Sequence, residues 1–169
     1  MSNKTILTVK NLGKKFLDSE PLKDINCEIH QGEVISIIGP SGTGKSTFLR
    51  CINRLEKPTS GQIFFHGEEL TDSQENIRLA RQKIGMVFQS FNLFSNMNVL
   101  ENIILAPMML KKIEKNFAML IVTHEMRFAE KVSDRIFFMN DGIIFEEGTP
   151  QDLIECEESK TAKFLKEYI

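Results

Sequence analysis

The chain has 169 residues, 41% of them apolar, with 21 lysines and arginines against 23 aspartates and glutamates for a net charge of −2. A domain of this size hides roughly two thirds of its unfolded surface and needs no covalent staple, and without a basic excess nucleic acid is excluded as a partner. The cysteines (Cys27, Cys51, Cys156) and histidines (His30, His66, His124) are too scattered for a zinc cluster or a disulfide framework, which fits thiols in a reducing cytosol.

The stretch from Met1 to Lys10 is short of apolar residues and runs into Lys14-Lys15, so it reads as the start of a domain rather than an export signal. Ile6 to Val9, and the alternation of Ile25, Cys27 and Ile29 with Asn26, Glu28 and His30, have the two-residue period of half-buried antiparallel strands. Val34 to Ile38 is a continuous apolar run of the kind covered on both faces, and Phe48, Leu49, Ile52 and Leu55 give Ser46 to Leu55 helical spacing. After the turn cluster Lys57 to Gly61, Gln62 to Phe65 and Ile84 to Phe88 read as strands separated by a polar segment, Gly67 to Arg81. Val99 to Lys112 has helical spacing that Pro107 should kink or end, and Met108-Met109 within it is simplest as helix packing. The longest apolar run, Ile103 to Leu110, is too short to cross a bilayer. Ala118 to Val122 is a second buried-type strand; Ile136 to Met139, Asn140-Asp141-Gly142 and Ile143 to Phe145 make a hairpin; and Thr149-Pro150-Gln151-Asp152 opens a helix.

Between the strand at Val34 and the helix after it stands Gly39-Pro40-Ser41-Gly42-Thr43-Gly44-Lys45-Ser46-Thr47, the Gly-x-x-x-x-Gly-Lys-Ser pattern in its phosphate-binding setting. Glycines let successive amides turn inward on an anion, and the helix adds the positive end of its dipole. Gly39, Ser41, Gly42, Thr43, Gly44, Lys45, Ser46 and Thr47 are therefore the expected cradle for nucleotide phosphates. Lys45 reaches for the β and γ phosphates, and Ser46 offers a hydroxyl to Mg²⁺.

Three blocks, Gly39 to Gly61, Ile84 to Pro107 and Ile121 to Gly148, together resemble the ATP-binding subunit of an ATP-binding cassette importer, most closely the polar amino-acid group. The narrowing rests on Phe48-Leu49-Arg50-Cys51-Ile52-Asn53, on Met86-Val87-Phe88-Gln89-Ser90-Phe91-Asn92-Leu93-Phe94 and on Val122-Thr123-His124-Glu125-Met126. The resemblance implies integral membrane permease subunits as partners, a homodimer in the intact family member, and a cytoplasmic place on the inner face of the cell membrane. It also gives Phe16 the place of the aromatic that stacks on adenine, although a lone phenylalanine is ordinarily core. Gln89 matches the glutamine that meets Mg²⁺ and the attacking water on a permease-facing loop, against the plain reading of a solvated loop residue. His124 matches the histidine that contacts the γ phosphate, against the plain reading of a structural histidine. Gln89 and His124 are the expected catalytic residues, and Ser46 and Gln89 the expected metal contacts.

Two parts that the resemblance calls for are absent. Between Asp72 and Asp134 there is no aspartate, and the acids between Gln89 and His124 are Glu101 and Glu114, neither at the end of a strand, so the metal-holding Asp and the water-polarising Glu are missing. Phe137 to Asp141 imitates the acidic strand, but Gly142 stands where the second acid is needed. The Leu-Ser-Gly-Gly-Gln signature is also missing. The expected fold class is α/β: a P-loop nucleoside triphosphate hydrolase core with an N-terminal antiparallel β piece, lacking part of the helical subdomain and one core strand. Residues 1–169 form a single, internally shortened domain with the deletion seam near 115–118. Loss of a strand predicts an exposed sheet edge and marginal folding. The expected activity is Mg-ATP binding with hydrolysis near background, the alternative being a non-catalytic remnant; an unrelated GTPase is disfavoured because no Asn-Lys-x-Asp guanine reader is present.

Overall fold

A computed structural model describes residues 4–84, 118–123, 126–156 and 158–166. The expected strand beyond Ile84, the helix over Val99 to Lys112 and the seam up to residue 117 lie outside them.

β1 (Thr5–Lys14) and β2 (Leu22–His30) pair antiparallel, β3 (Val34–Ile38) leaves for a second sheet, and β4 (Ser60–Phe65) with β5 (Glu68–Glu69) returns to complete the order β2-β1-β4-β5. This is the expected antiparallel piece. The second sheet has the order β6-β3-β7-β8, from β6 (Met119–Val122), β7 (Arg135–Asn140) and β8 (Ile143–Gly148). β3 runs parallel to both β6 and β7, and β7 turns back into β8 through Asp141 and Gly142, whose φ angles of 49° and 79° give the doubly left-handed turn that a tight hairpin requires.

Side-chain alternation along β3 and β7 sorts the core into two faces. Ile35, Ile37, Phe137 and Met139 pack with Phe48, Cys51 and Ile52 of α1 (Lys45–Ile52) and with Leu7, Val9, Leu22, Ile25 and Ile63 of the antiparallel sheet. Ile38, Ile136 and Phe138 face the other way, onto Met126 and Ala129 of α3 (Met126–Val132) and Leu153 of α4 (Pro150–Glu155). The parallel sheet is thus covered on both sides at its centre. Its buried Ser36 is satisfied by the Ser133 hydroxyl, which donates to it at 2.6 Å. α5 (Lys160–Lys166) is held by one acid: Glu146 accepts from the Ser159 hydroxyl at 2.7 Å, the Lys160 and Thr161 amides at 2.8 and 2.9 Å, and the Thr161 hydroxyl at 2.5 Å. Burial raises that carboxyl, but these hydrogen bonds outweigh it and leave its pKa at about 2.

Three expectations need correction. The helix after the phosphate loop ends at Ile52, not Leu55: Arg54 adopts φ 55° and Leu55 is exposed. The segment Gly67 to Arg81 is not a bare polar connection but holds β5 and most of α2 (Gln74–Lys83); α2 fully buries only Ala80, with Ile77 half-buried and Ile84 against the core, an apolar edge too thin among charged residues to stand out. The strand after residue 117 is half-buried rather than buried, because β6 is the outermost strand of its sheet among the described residues.

Candidate functional site

β3 ends at Ile38 with parallel neighbours on both sides, and the phosphate loop leaves from that end, the position where open α/β sheets place their ligands. Gly39 lies against the Met139 carbonyl of β7. Gly44, at φ 93°, caps α1; a Cβ there would meet the Pro21 carbonyl oxygen at 2.2 Å, so the loop rests directly on the start of β2. Gly42, at φ 82°, has nothing within 4 Å of where a Cβ would stand. The loop is therefore tight underneath and open above.

No side chain caps the N-terminus of α1 and its first turn holds no acid, so its leading amides remain available to an anion. Lys45 is buried, and its ammonium donates to the Gly39 and Pro40 carbonyls at 2.7 and 2.6 Å, with the Thr43 hydroxyl at 3.5 Å. The Thr43 hydroxyl itself donates to the Pro40 carbonyl at 2.9 Å. Burial lowers the Lys45 pKa from its ordinary value, and no carboxylate among the described residues pairs with it. A cation so placed is neutralised only by dipoles, and a phosphate is a better partner.

Ser41 and Ser46 are exposed and Thr47 is half-buried. Among the described residues no cluster of three or more His, Cys, Asp or Glu could hold a metal. The Ser46 hydroxyl fits Mg²⁺ as one ligand among several, the rest being water and phosphate oxygens, which is how this cation is ordinarily bound to nucleotides.

Phe16 is 45% exposed in the connection between β1 and β2, with the Lys14 ammonium 4.7 Å from its ring centre. Its ring is not core, which removes the ordinary explanation for a lone phenylalanine. Gln89 and His124 lie outside the described residues, so their placement relative to the loop is not part of this geometry.

A cleft of about 320 Å³ flanks the loop, lined by Ser41, Gly42 and Thr43 on one side and by Glu20, Pro21 and the turn Asn140–Gly142 on the other. That second wall was not legible as part of the site. Asp141-Gly142 announces a turn, but nothing in its sequence says that the turn packs on β2, where Lys23 donates from its amide to the Gly142 carbonyl at 2.9 Å and pairs with Asp141 at 2.6 Å. A larger groove of about 500 Å³, lined by Thr8, Cys27, Arg135 and Glu147 among others, contains no phosphate-loop residue. Its arginine is already engaged with Glu33 at 2.8 Å and Glu147 at 3.2 Å.

The family profile described as ABC transporter matches residues 22–143. The arginine transport ATP-binding protein ArtM of Bacillus subtilis is 33% identical, with 97% of this chain and 100% of that protein covered. The glutamine transport ATP-binding protein GlnQ of Geobacillus stearothermophilus is also 33% identical, covering 90% and 94%. The ArtM alignment spans 239 positions against 169 residues here, so at least 70 of them have no counterpart in this chain. Among solved structures, cbiO1 of Clostridium perfringens, part of the ABC transporter complex cbiONQ, superimposes with a TM-score of 0.76 at 23% identity over 92% of each chain. The ATP-binding cassette MJ0796, in a dimeric post-hydrolysis state with ADP and Pi, gives 0.69 at 23% identity over 86% of this chain and 99% of that one. These two likenesses bear on the fold alone.

Proposed function

We propose, since the chain belongs to the ABC transporter family, that it is the ATP-binding subunit of an importer for polar amino acids, internally shortened, which binds Mg-ATP but hydrolyses it poorly. The observation that carries this reading is the Lys45 ammonium, buried and turned onto its own loop carbonyls beneath uncapped α1 amides. Curated relatives named for arginine and glutamine transport support the cargo class; a cassette of this kind touches nucleotide and permease, not cargo.

Amides between Ser41 and Thr47, with that of Gly39 and the Lys45 ammonium, bind the triphosphate, Ser46 contacts Mg²⁺, and Phe16, already at the surface, stacks on the base. Gln89 and His124 keep the catalytic places that the motif wording gives them, with Gln89 as a further metal contact. Phosphoryl transfer depends on positioning and on stabilising charge. With the acidic pair and the signature gone, those aids are missing, and Mg²⁺, which when bound would offset charge on the phosphates, has few protein ligands. Permease subunits are the partners, a homodimer is the assembly of the intact relative, and the location is the cytoplasmic face of the membrane. No helix among the described residues is long and apolar enough to cross it.

The second reading, a nucleotide-binding remnant without a transport role, is favoured by the alignment positions that this chain lacks. Phosphate release with the permease present and absent separates the two. Turnover that the permease stimulates supports the transport subunit, and binding without any stimulation supports the remnant. Brisk turnover by the isolated chain that Lys45→Ala abolishes contradicts the proposed deficit.

A further inference from the structure

α1 carries the phosphate loop at its N-terminal end and is only eight residues long. At 1.5 Å per residue it spans roughly 12 Å, so its far end is about two turns from Lys45. A helix this short is not stable by itself and keeps its position through its contacts.

The chain at the far end is gripped at two places, one on α2 and one just ahead of it. In the last turn of α2, Arg81 donates from Nε to the Asn53 carbonyl at 3.1 Å and from Nη2 to the Arg54 carbonyl at 2.7 Å. Just before α2, Asp72 takes the Arg54 guanidinium and the Lys57 ammonium, the latter at 2.5 Å. The main chain between needs that support: Arg54 sits at φ 55°, an uncommon conformation for a residue with a side chain. Asn53, the C-cap, closes the last turn with its amide, which donates to the Leu49 carbonyl at 3.1 Å, while its own carbonyl is left for Arg81 and its buried Oδ1 has no hydrogen-bond partner. The carbonyls that follow the helix are thus satisfied by a cation at the negative end of its dipole.

We propose that Arg81 is a positioning residue for Mg-ATP binding: clamped onto the Asn53 and Arg54 carbonyls, it fixes the far end of the phosphate-loop helix so that the loop amides and Lys45 stay aimed at one anion site. The proposal rests on the nucleotide-binding reading above. Arg78, on the same helix but paired outward with Glu75 at 2.6 Å, is the natural charge control.

The test measures two quantities on Arg81→Ala, Arg81→Lys and Arg78→Ala: the Kd for Mg-ATP and amide hydrogen exchange across residues 45–57. Arg81→Ala is expected to weaken Mg-ATP about tenfold and speed exchange at the end of α1, Arg81→Lys to recover part of both, and Arg78→Ala to change neither. An unchanged Kd in Arg81→Ala, or an equal loss in Arg78→Ala, overturns the proposal. If the unsubstituted chain itself shows no saturable binding, it is the nucleotide reading that fails. The clamp is then judged by exchange alone, and unaltered exchange in Arg81→Ala overturns it. Should Arg81→Ala not fold, Arg81→Lys carries the same comparison, with loss of affinity supporting the role and parity with the unsubstituted chain refuting it.

Discussion

Gly42 and Gly44, two residues apart in the same loop, should answer the same substitution differently, Gly44→Ala mainly in stability and Gly42→Ala mainly in binding. Both have left-handed φ, 93° at Gly44 and 82° at Gly42, and an L side chain in that region costs about 1–2 kcal/mol. At Gly44 the new Cβ would also stand 2.2 Å from the Pro21 carbonyl oxygen and 2.8 Å from Leu22 Cδ2. Main chain has to move for it, which brings the total to about 3–5 kcal/mol. At Gly42 nothing lies within 4 Å, so only the conformational cost applies. For a chain of this size about 2–4 °C of melting temperature accompanies each kcal/mol. Thermal unfolding should therefore fall by about 2–8 °C in Gly42→Ala and by about 6–20 °C in Gly44→Ala. A Mg-ATP titration should show the reverse emphasis, with Gly42→Ala losing affinity because its methyl group occupies the open side of the cradle. Equal loss of stability in the two variants, or full affinity in Gly42→Ala, would refute the view of a loop packed below and open above.

Glu146→Gln should lower the melting temperature at pH 7, and the deficit should shrink as pH falls. Because the folded carboxyl has a pKa of about 2 against an ordinary 4.5, its contribution is complete above about 4.5 and fades as pH falls toward 2; a deficit that stays constant across that window would count against the helix-holding role. Ser133→Ala should cost about 1–3 kcal/mol by stranding the buried Ser36 hydroxyl. Adding Ser36→Ala should recover part of that cost, and simple additivity in a double-mutant cycle would deny the coupling. In the native chain one of three cysteines, the exposed Cys156, should react with a thiol reagent at neutral pH. Burial pushes the Cys27 and Cys51 thiols up to about 12 and about 11, so rapid labelling of either would mean that the core opens.

The strands and turns with clean patterns were legible in the sequence. Val34 to Ile38 is a strand as expected, and Thr149 caps its helix, accepting from the Asp152 amide at 3.2 Å. β1 runs well past the expected Val9 because its alternation changes phase: Asn11 takes φ 49° in a bulge, its amide donates to Asn26 Oδ1 at 2.8 Å, and Leu12 returns to the core. α2 was hidden because its apolar edge, Ile77 and Ala80 with Ile84 beyond its end, is thin within a segment dominated by polar and charged residues. At the site, the loop and the lysine follow from residue types and spacing. What holds them, Pro21 below Gly44 and the Asp141–Gly142 turn on Lys23, comes from contacts between segments far apart in the chain, and no local pattern records those. The exposed ring of Phe16 is likewise a tertiary fact: composition alone favours a buried one.

If the β3–α1 junction grips a triphosphate, equilibrium titration of the folded chain with labelled Mg-ATP must reveal it. Saturable binding is expected, with Lys45→Ala abolishing it in a variant that still unfolds cooperatively, although at a lower temperature because the Gly39 and Pro40 carbonyls lose their donor. Absence of saturation in the folded protein, or binding that survives Lys45→Ala unchanged, would contradict that grip.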